Sequence, residues 1–170
     1  LAKQNSNNIR TGTDPWNTSK SVLLLKACNP DVSIVHVQKA DSLGNAIIEG
    51  FSTHEPEMIK ASKSVILSCE QLIDTEVIRQ NPEMTTIPYI FVDAVVVQPW
   101  GAYPTSTYKF YEHDDPHIRY YQSISKSNAQ EYKKYLSQNI YGCADFDSYL
   151  ELVTTQKNLN ALAESMHSVS

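Results

Sequence analysis

The sequence predicts an α/β fold: an open, largely parallel sheet with flanking helices and a helical C-terminal tail. Three observations predict it. Short β-branched runs alternate with short amphipathic segments between Asp31 and Val97, the pattern of strand–helix–strand units joined by right-handed crossovers. The runs place apolar residues at consecutive positions, as strands covered on both faces do. From Asp115 onward the apolar residues recur instead at helical spacing.

Taken in order, Asp31 to Gln38 (DVSIVHVQ) follows Pro30 and reads as a central strand, apolar on both faces. Lys39 to Asn45 is a turn in which Gly44-Asn45 tolerates positive φ, and Ala46 to Ile48 begins a second strand. Glu55 to Ser62 carries Pro56 in its first turn and Met58, Ile59 and Ala61 as apolar members, so it is a short helix. Ser64 to Cys69 (SVILSC) is a buried strand. Asp74 or Thr75 caps a helix over Glu76 to Gln80 that ends before Pro82, and Ile87 to Val97 (IPYIFVDAVVV) reads as one long strand. Pro99 to Ser106 is a loop of turn formers and aromatics directly after it, where open α/β sheets bind ligands. The tail follows with three helical patterns: Ile118, Tyr121 and Ile124; Tyr132, Tyr135 and Leu136; then Phe146, Tyr149, Leu150 and Val153 behind an Asp145 cap.

The 170 residues fit one domain with its own core, and neither a repeat nor a low-complexity linker divides them. With 41% hydrophobic and 19% charged residues the chain is globular in composition, and it holds no run of about 18 apolar residues for a membrane helix. A formal charge of −5 supplies no broad positive field, so nucleic acid is an unsuitable partner. Cys28, Cys69 and Cys143 are odd in number and far apart, which fits reduced thiols and a cytoplasmic setting. The opening stretch LAKQNSNNIRTGTD has no targeting pattern and begins with Leu, from which an upstream segment is expected. Asn17-Thr18-Ser19 is a chance glycosylation match. Five glycines, none in a phosphate-loop pattern, leave no nucleotide cradle of that kind.

Four clusters invite chemistry. His113-Asp114-Asp115-Pro116-His117 has metal-ligand types, yet Pro116 starts a helix and leaves His113 outside it, so a capped helix start is expected and no metal. Glu70, just past SVILSC, admits acid, base or nucleophile duty, or an ordinary hydrogen-bonded role at the start of a loop; the second is favoured, because structural networks perturb carboxylates too. Asp93, a lone acid inside an apolar run, should be buried and bonded to backbone N–H groups or to a cation such as Arg79. Cys69 reads as a small buried apolar residue, since no spacing places His36 or His54 against it as a base. The ten tyrosines read as helix-packing groups rather than base-stacking ones.

DVSIVHVQKADSLGNAIIEG, MIKASKSVILSCEQLIDTEVIRQNP, IPYIFVDAVVVQPWGAYPTS and NIYGCADFDSYLELV, in that order, resemble the A-type subunits of family I CoA-transferases, those acting on glutaconate above all. The resemblance runs from about Arg10 to about Val153. Its strongest elements are Lys39-Ala40-Asp41 with Gly44-Asn45, and Val92 to Pro104. Arg10 to Asp14 looks like the end of a ligand-adjacent loop, which makes residues 1–170 the C-terminal portion of a longer subunit.

The resemblance implies an enzyme that moves CoA between an acyl-CoA and a free carboxylic acid through a glutamyl-CoA thioester, with the reactive glutamate on a B-type partner in a hetero-oligomer. It implies no cofactor, CoA being a substrate, and no catalytic residue in this chain. It assigns substrate binding to Thr11, Gly12, Thr13, Glu70, Gly101, Ala102, Tyr103, Pro104 and Thr105. Two positions depart from the pattern: Tyr103 stands where relatives carry histidine, and Gln71 where they carry a second acid, so a charge-assisted contact from that histidine is lost. Two other readings remain: a component of a hydrolase that cleaves rings of CoA thioesters with water, and a non-enzymatic ligand-binding module on the fold shared with sugar-phosphate isomerases.

Overall fold

Val32–Ala40 (β3) and Ser64–Leu72 (β5) pair in parallel from Val32 opposite Ser64 to Ala40 opposite Leu72. In this computed structural model, which describes residues 7–167, these two strands are the centre of the sheet. The first six residues of the opening stretch, which carries no targeting pattern, lie outside the described residues. Ala94–Val97 (β6) adds in parallel beside β5, and Ala46–Ile47 (β4) adds antiparallel to β3, giving the order β4-β3-β5-β6. The open, largely parallel sheet is the predicted one.

Glu55–Ala61 (α1) connects β4 to β5, with Pro56 in its first turn. Thr75–Gln80 (α2) follows β5, and its cap is Asp74, which accepts the Glu76 N–H. Ile59 of α1, with Ile87, packs on the face carrying Val35, Val37, Val65, Leu67 and Cys69. Burying a side chain of this size contributes about 1.5–3 kcal/mol. Cys69 is fully buried, and burial pushes its thiol pKa up, so it behaves as the small apolar residue expected.

The opposite sheet face differs from the expectation of two covered faces. Val32 is 51% exposed and Ile34 70% exposed, while Val35 and Val37 are buried. On that face the described residues leave the amino-terminal half of β3 open at Val32 and Ile34.

The long strand over Ile87 to Val97 is also divided. Ile87 bridges Ala46, Tyr89–Phe91 is a single 3₁₀ turn, and only Ala94–Val97 is strand. Pro88 supplies no N–H for a ladder, and the side chain of Asn45 takes the Tyr89 N–H, so local bonds replace sheet bonds there. Asp93 is exposed rather than buried. Its carboxylate accepts the Val65 N–H at 2.7 Å, whereas Arg79 pairs with Glu76.

Ile9–Thr13 (β1) and Ser21–Leu25 (β2) form an antiparallel hairpin of their own. Arg10 to Thr13 is therefore strand and not the end of a loop. Asp14 makes the turn, its Oδ1 accepting the N–H groups of Trp16 and Asn17.

The tail is four helices rather than three: Asp115–Ser125 (α3), Ala129–Asn139 (α4), Phe146–Val153 (α5) and Gln156–His167 (α6). Asp114, Asn128 and Asp145 cap the first three. Tyr121 of α3 and Tyr132 and Tyr135 of α4 pack ring against ring, as helix-packing tyrosines do. Among the described residues no helix is long and apolar enough to cross a membrane.

Candidate functional site

In a parallel pair, residues two apart share a face. His36 lies opposite Ser68, so Ser68 and Glu70 of β5 and His36 of β3 point the same way, His36 and Ser68 at mid-strand and Glu70 two residues nearer the carboxyl end of β5. His36 Nε2 lies 2.6 Å from Glu70 Oε1, and His36 Nδ1 lies 2.9 Å from Ser68 Oγ. Glu70 is inside β5 rather than in a loop beyond it, because the strand continues to Leu72.

The loop after β6 closes over this pair. Trp100 has φ of 65°, a left-handed conformation rare for a bulky residue, and its N–H donates to Glu70 Oε2 at 2.7 Å. Its ring stacks on Tyr111 at 4.2 Å between centroids. The Tyr111 hydroxyl donates to Glu70 Oε1 at 2.6 Å and accepts the Ala102 N–H at 3.1 Å. Thr107 donates to the same Oε1 at 3.3 Å.

Glu70 accepts four donors, His36, Tyr111 and Thr107 on Oε1 and the Trp100 N–H on Oε2. Burial raises the carboxyl pKa, but the hydrogen bonds from His36, Tyr111 and Trp100 outweigh it and hold the group below its ordinary value. Burial and the neighbouring carboxylate both push the Tyr111 hydroxyl pKa up, so it stays a donor. Glu70 is thus an ionised hub that accepts four donors. The arrangement fixes the loop, and the donors on both oxygens lower the nucleophilicity of the carboxylate.

Gly101 is where the loop touches the sheet. A Cβ there would lie 2.6 Å from His36 Cε1, 2.7 Å from His36 Nδ1 and 2.9 Å from the Gln98 carbonyl oxygen. Gly101→Ala should therefore lower stability by about 1–3 kcal/mol, as overpacking does, read as a lower melting temperature. Unchanged melting would mean that the loop stands off the sheet.

A second buried carboxylate holds the far end of the loop. Tyr103 donates to Asp114 Oδ2 at 2.8 Å, and Asn158 of α6 donates to the same oxygen at 2.7 Å. Asp114 Oδ1 caps α3 through the His117 N–H, and the Asp114 N–H returns to the Pro104 carbonyl. Burial raises the Asp114 pKa, and the bonds from His117 N–H, Tyr103 and Asn158 bring it below the ordinary value. The Tyr103 hydroxyl pKa is raised by burial and by Asp114. The Tyr103 ring is buried beside His117 and Tyr149. His113–His117 is thus the capped helix start expected, with His117 held below its usual pKa by burial.

Of the residues assigned from sequence, Glu70 and Gly101 to Thr105 come together; Thr105 closes the turn by donating to the Ala102 carbonyl. Thr11, Gly12 and Thr13 stand apart on the hairpin, paired with Leu23, Val22 and Ser21. Tyr103 faces the helices, its hydroxyl on Asp114 and its ring beside His117 and Tyr149. Sequence reasoning missed His36, Thr107, Tyr111 and Asp114 as parts of the site. The even spacing of His36, Ser68 and Glu70 is a signal only once the β3–β5 register is known.

The coenzyme A transferase family model matches residues 13–98. The chain is 40% identical over 149 residues to an uncharacterized protein of Archaeoglobus fulgidus, covering 88% of this chain and 33% of that protein. It is 30% identical over 147 residues to the A-type subunit of glutaconate CoA-transferase from Acidaminococcus fermentans, covering 86% of this chain and 46% of that relative. The crystal structure of glutaconate coenzyme A-transferase from that organism superposes with a TM-score of 0.84 at 29% identity, over 92% of this chain and 49% of its own. The chain thus spans a third to a half of the length of these relatives. The family match covers just over half of this chain, including the whole β3–β5–β6 sheet up to the strand end from which the loop departs, and on that basis the chain belongs to the coenzyme A transferase family.

Proposed function

We infer that the chain is part of an A-type subunit of a heteromeric CoA-transferase, forming one side of an acyl-CoA site and recognising the acid substrate through the loop over Trp100 to Thr105. The engagement of Glu70 by four donors supports this reading. A carboxylate already accepting four donors is a poor nucleophile, so the attacking carboxylate comes from a B-type partner. That partner glutamate attacks the acyl-CoA carbonyl; the C–S bond breaks and an acyl-glutamyl anhydride forms. The released thiolate then attacks the glutamyl carbonyl, expelling the first acid and leaving a glutamyl-CoA thioester. A second acid takes CoA by the reverse steps, two displacements replacing one difficult one.

The chain mixed with a B-type partner should exchange CoA between an acyl-CoA and a free acid with ping-pong kinetics, and borohydride should trap the thioester on the partner. Thioester consumption without a second acid would replace transfer by hydrolysis. Turnover by the isolated chain would overturn the division of labour.

A further inference from the structure

A cavity of about 490 Å³ lies at the carboxyl ends of β3 and β5, beside Lys39 and Gln71. Lys39, Glu49, Gln71, Tyr108, Lys109 and Phe110 line it, with Met166 and His167 at the end of α6. Glu49 Oε1 lies 3.2 Å from Lys39 Nζ and 3.5 Å from Lys109 Nζ. Two ammonium groups thus converge on one carboxylate oxygen, and the three groups leave one net positive charge. Lys109 reaches it from a tight turn between Thr107 and Tyr111, at a φ of 68° that lysine rarely adopts. Its ammonium also stands 6.0 Å from the centroid of the exposed Tyr108 ring. Backbone strain, paired cations, an exposed tyrosine ring and a half-buried phenylalanine meet in one concave place.

We propose that this cavity binds the phosphorylated adenosine end of CoA, an inference that rests on the reading of the chain as part of a CoA-transferase. The pantetheine arm of an acyl-CoA carries neither an anion nor a flat ring. The nucleotide end carries both: phosphate for Lys39 and Lys109, and adenine for the faces of Tyr108 and Phe110. Glu49 holds the two ammonium groups near each other in the absence of ligand, and it competes with the phosphate for them.

Adenosine 3′,5′-bisphosphate, titrated calorimetrically into the whole chain, tests this. Lys109→Gly keeps the left-handed turn without strain and deletes only the cation, so it should weaken binding about tenfold, the scale of one lost charge-assisted contact. Glu49→Gln removes the competing carboxylate and should tighten binding. No binding to the wild-type chain, equal binding by K109G, or weaker binding by E49Q would each overturn the proposal. So would inorganic phosphate or a dicarboxylic acid competing on equal terms, because the site would then read an anion alone. The two readings fail separately. CoA exchange unaltered in KM for CoA by K109G removes the cavity and leaves the transferase. Bisphosphate binding with the expected variant pattern, but without any exchange, does the reverse.

Discussion

Glu70→Ala should cost about 3–5 kcal/mol of stability, the range for removing one partner of a buried charged network, and lower the melting temperature by roughly 10 °C. The Glu70 side chain is 3% exposed, and its loss strands the His36 Nε2, the Tyr111 hydroxyl and the Trp100 N–H at once. The loop should loosen with it. Trp100 stacks on Tyr111 while Trp16 is almost wholly exposed, so a red-shifted and more quenchable tryptophan emission reports the release. Native-like emission and melting in the variant would show that the loop is held without Glu70.

The same hub predicts an acid limit. The folded pKa of Glu70 lies below its unfolded value, so its contribution is complete above about pH 4.3 and is lost as pH falls through the folded value. Asp114 shifts in the same direction. Glu70→Gln keeps the shape but does not titrate. Wild type should therefore exceed E70Q in stability at neutral pH, and the gap should shrink below about pH 4. A constant gap down to about pH 2 would assign the destabilisation to shape alone.

The sheet was legible because β-branched runs at Asp31 to Gln38 and Ser64 to Cys69 announce strands by composition, and because turns and caps at Gly44, Pro56 and Asp74 use local chemistry. What was not legible depends on distant neighbours. The exposed face at Val32 and Ile34 looks identical in sequence to a covered one, since cover comes from other elements. The hairpin at Ile9–Thr13 pairs across a turn whose Asp14 bonds could be guessed only with its partner strand in view. At the site, Glu70 was found as a residue but not as a hub, because Tyr111 is 41 residues away and His36 is 34. Tyr103 was singled out for the charge it lacks. Its packing role needs Asp114, which the sequence offered only as a helix start.

Asp114→Ala should be the second most damaging change, at about 3 kcal/mol. The helix cap it supplies to α3 is worth about 1 kcal/mol. The rest comes from leaving the buried Tyr103 hydroxyl and the Asn158 amide without their shared acceptor, at about 1–3 kcal/mol for each buried unsatisfied group and less where water reaches it. Tyr103→Phe removes one of these donors and keeps the ring, so it should cost about 1.5–3 kcal/mol as a lost bond to a charged group. The two residues act on one oxygen, hence their effects should not add. In D114A the hydroxyl is a burden rather than an asset, and Y103F made on that background should cost little or restore stability. Chemical denaturation of the wild type, the two single variants and the double variant measures this coupling directly. Additive losses would mean that Tyr103 and Asp114 do not share a bond, and the loop over Pro99 to Thr105 would then be tied to the helical tail by the Asp114 N–H to Pro104 carbonyl bond and by the Tyr103 ring against His117 and Tyr149.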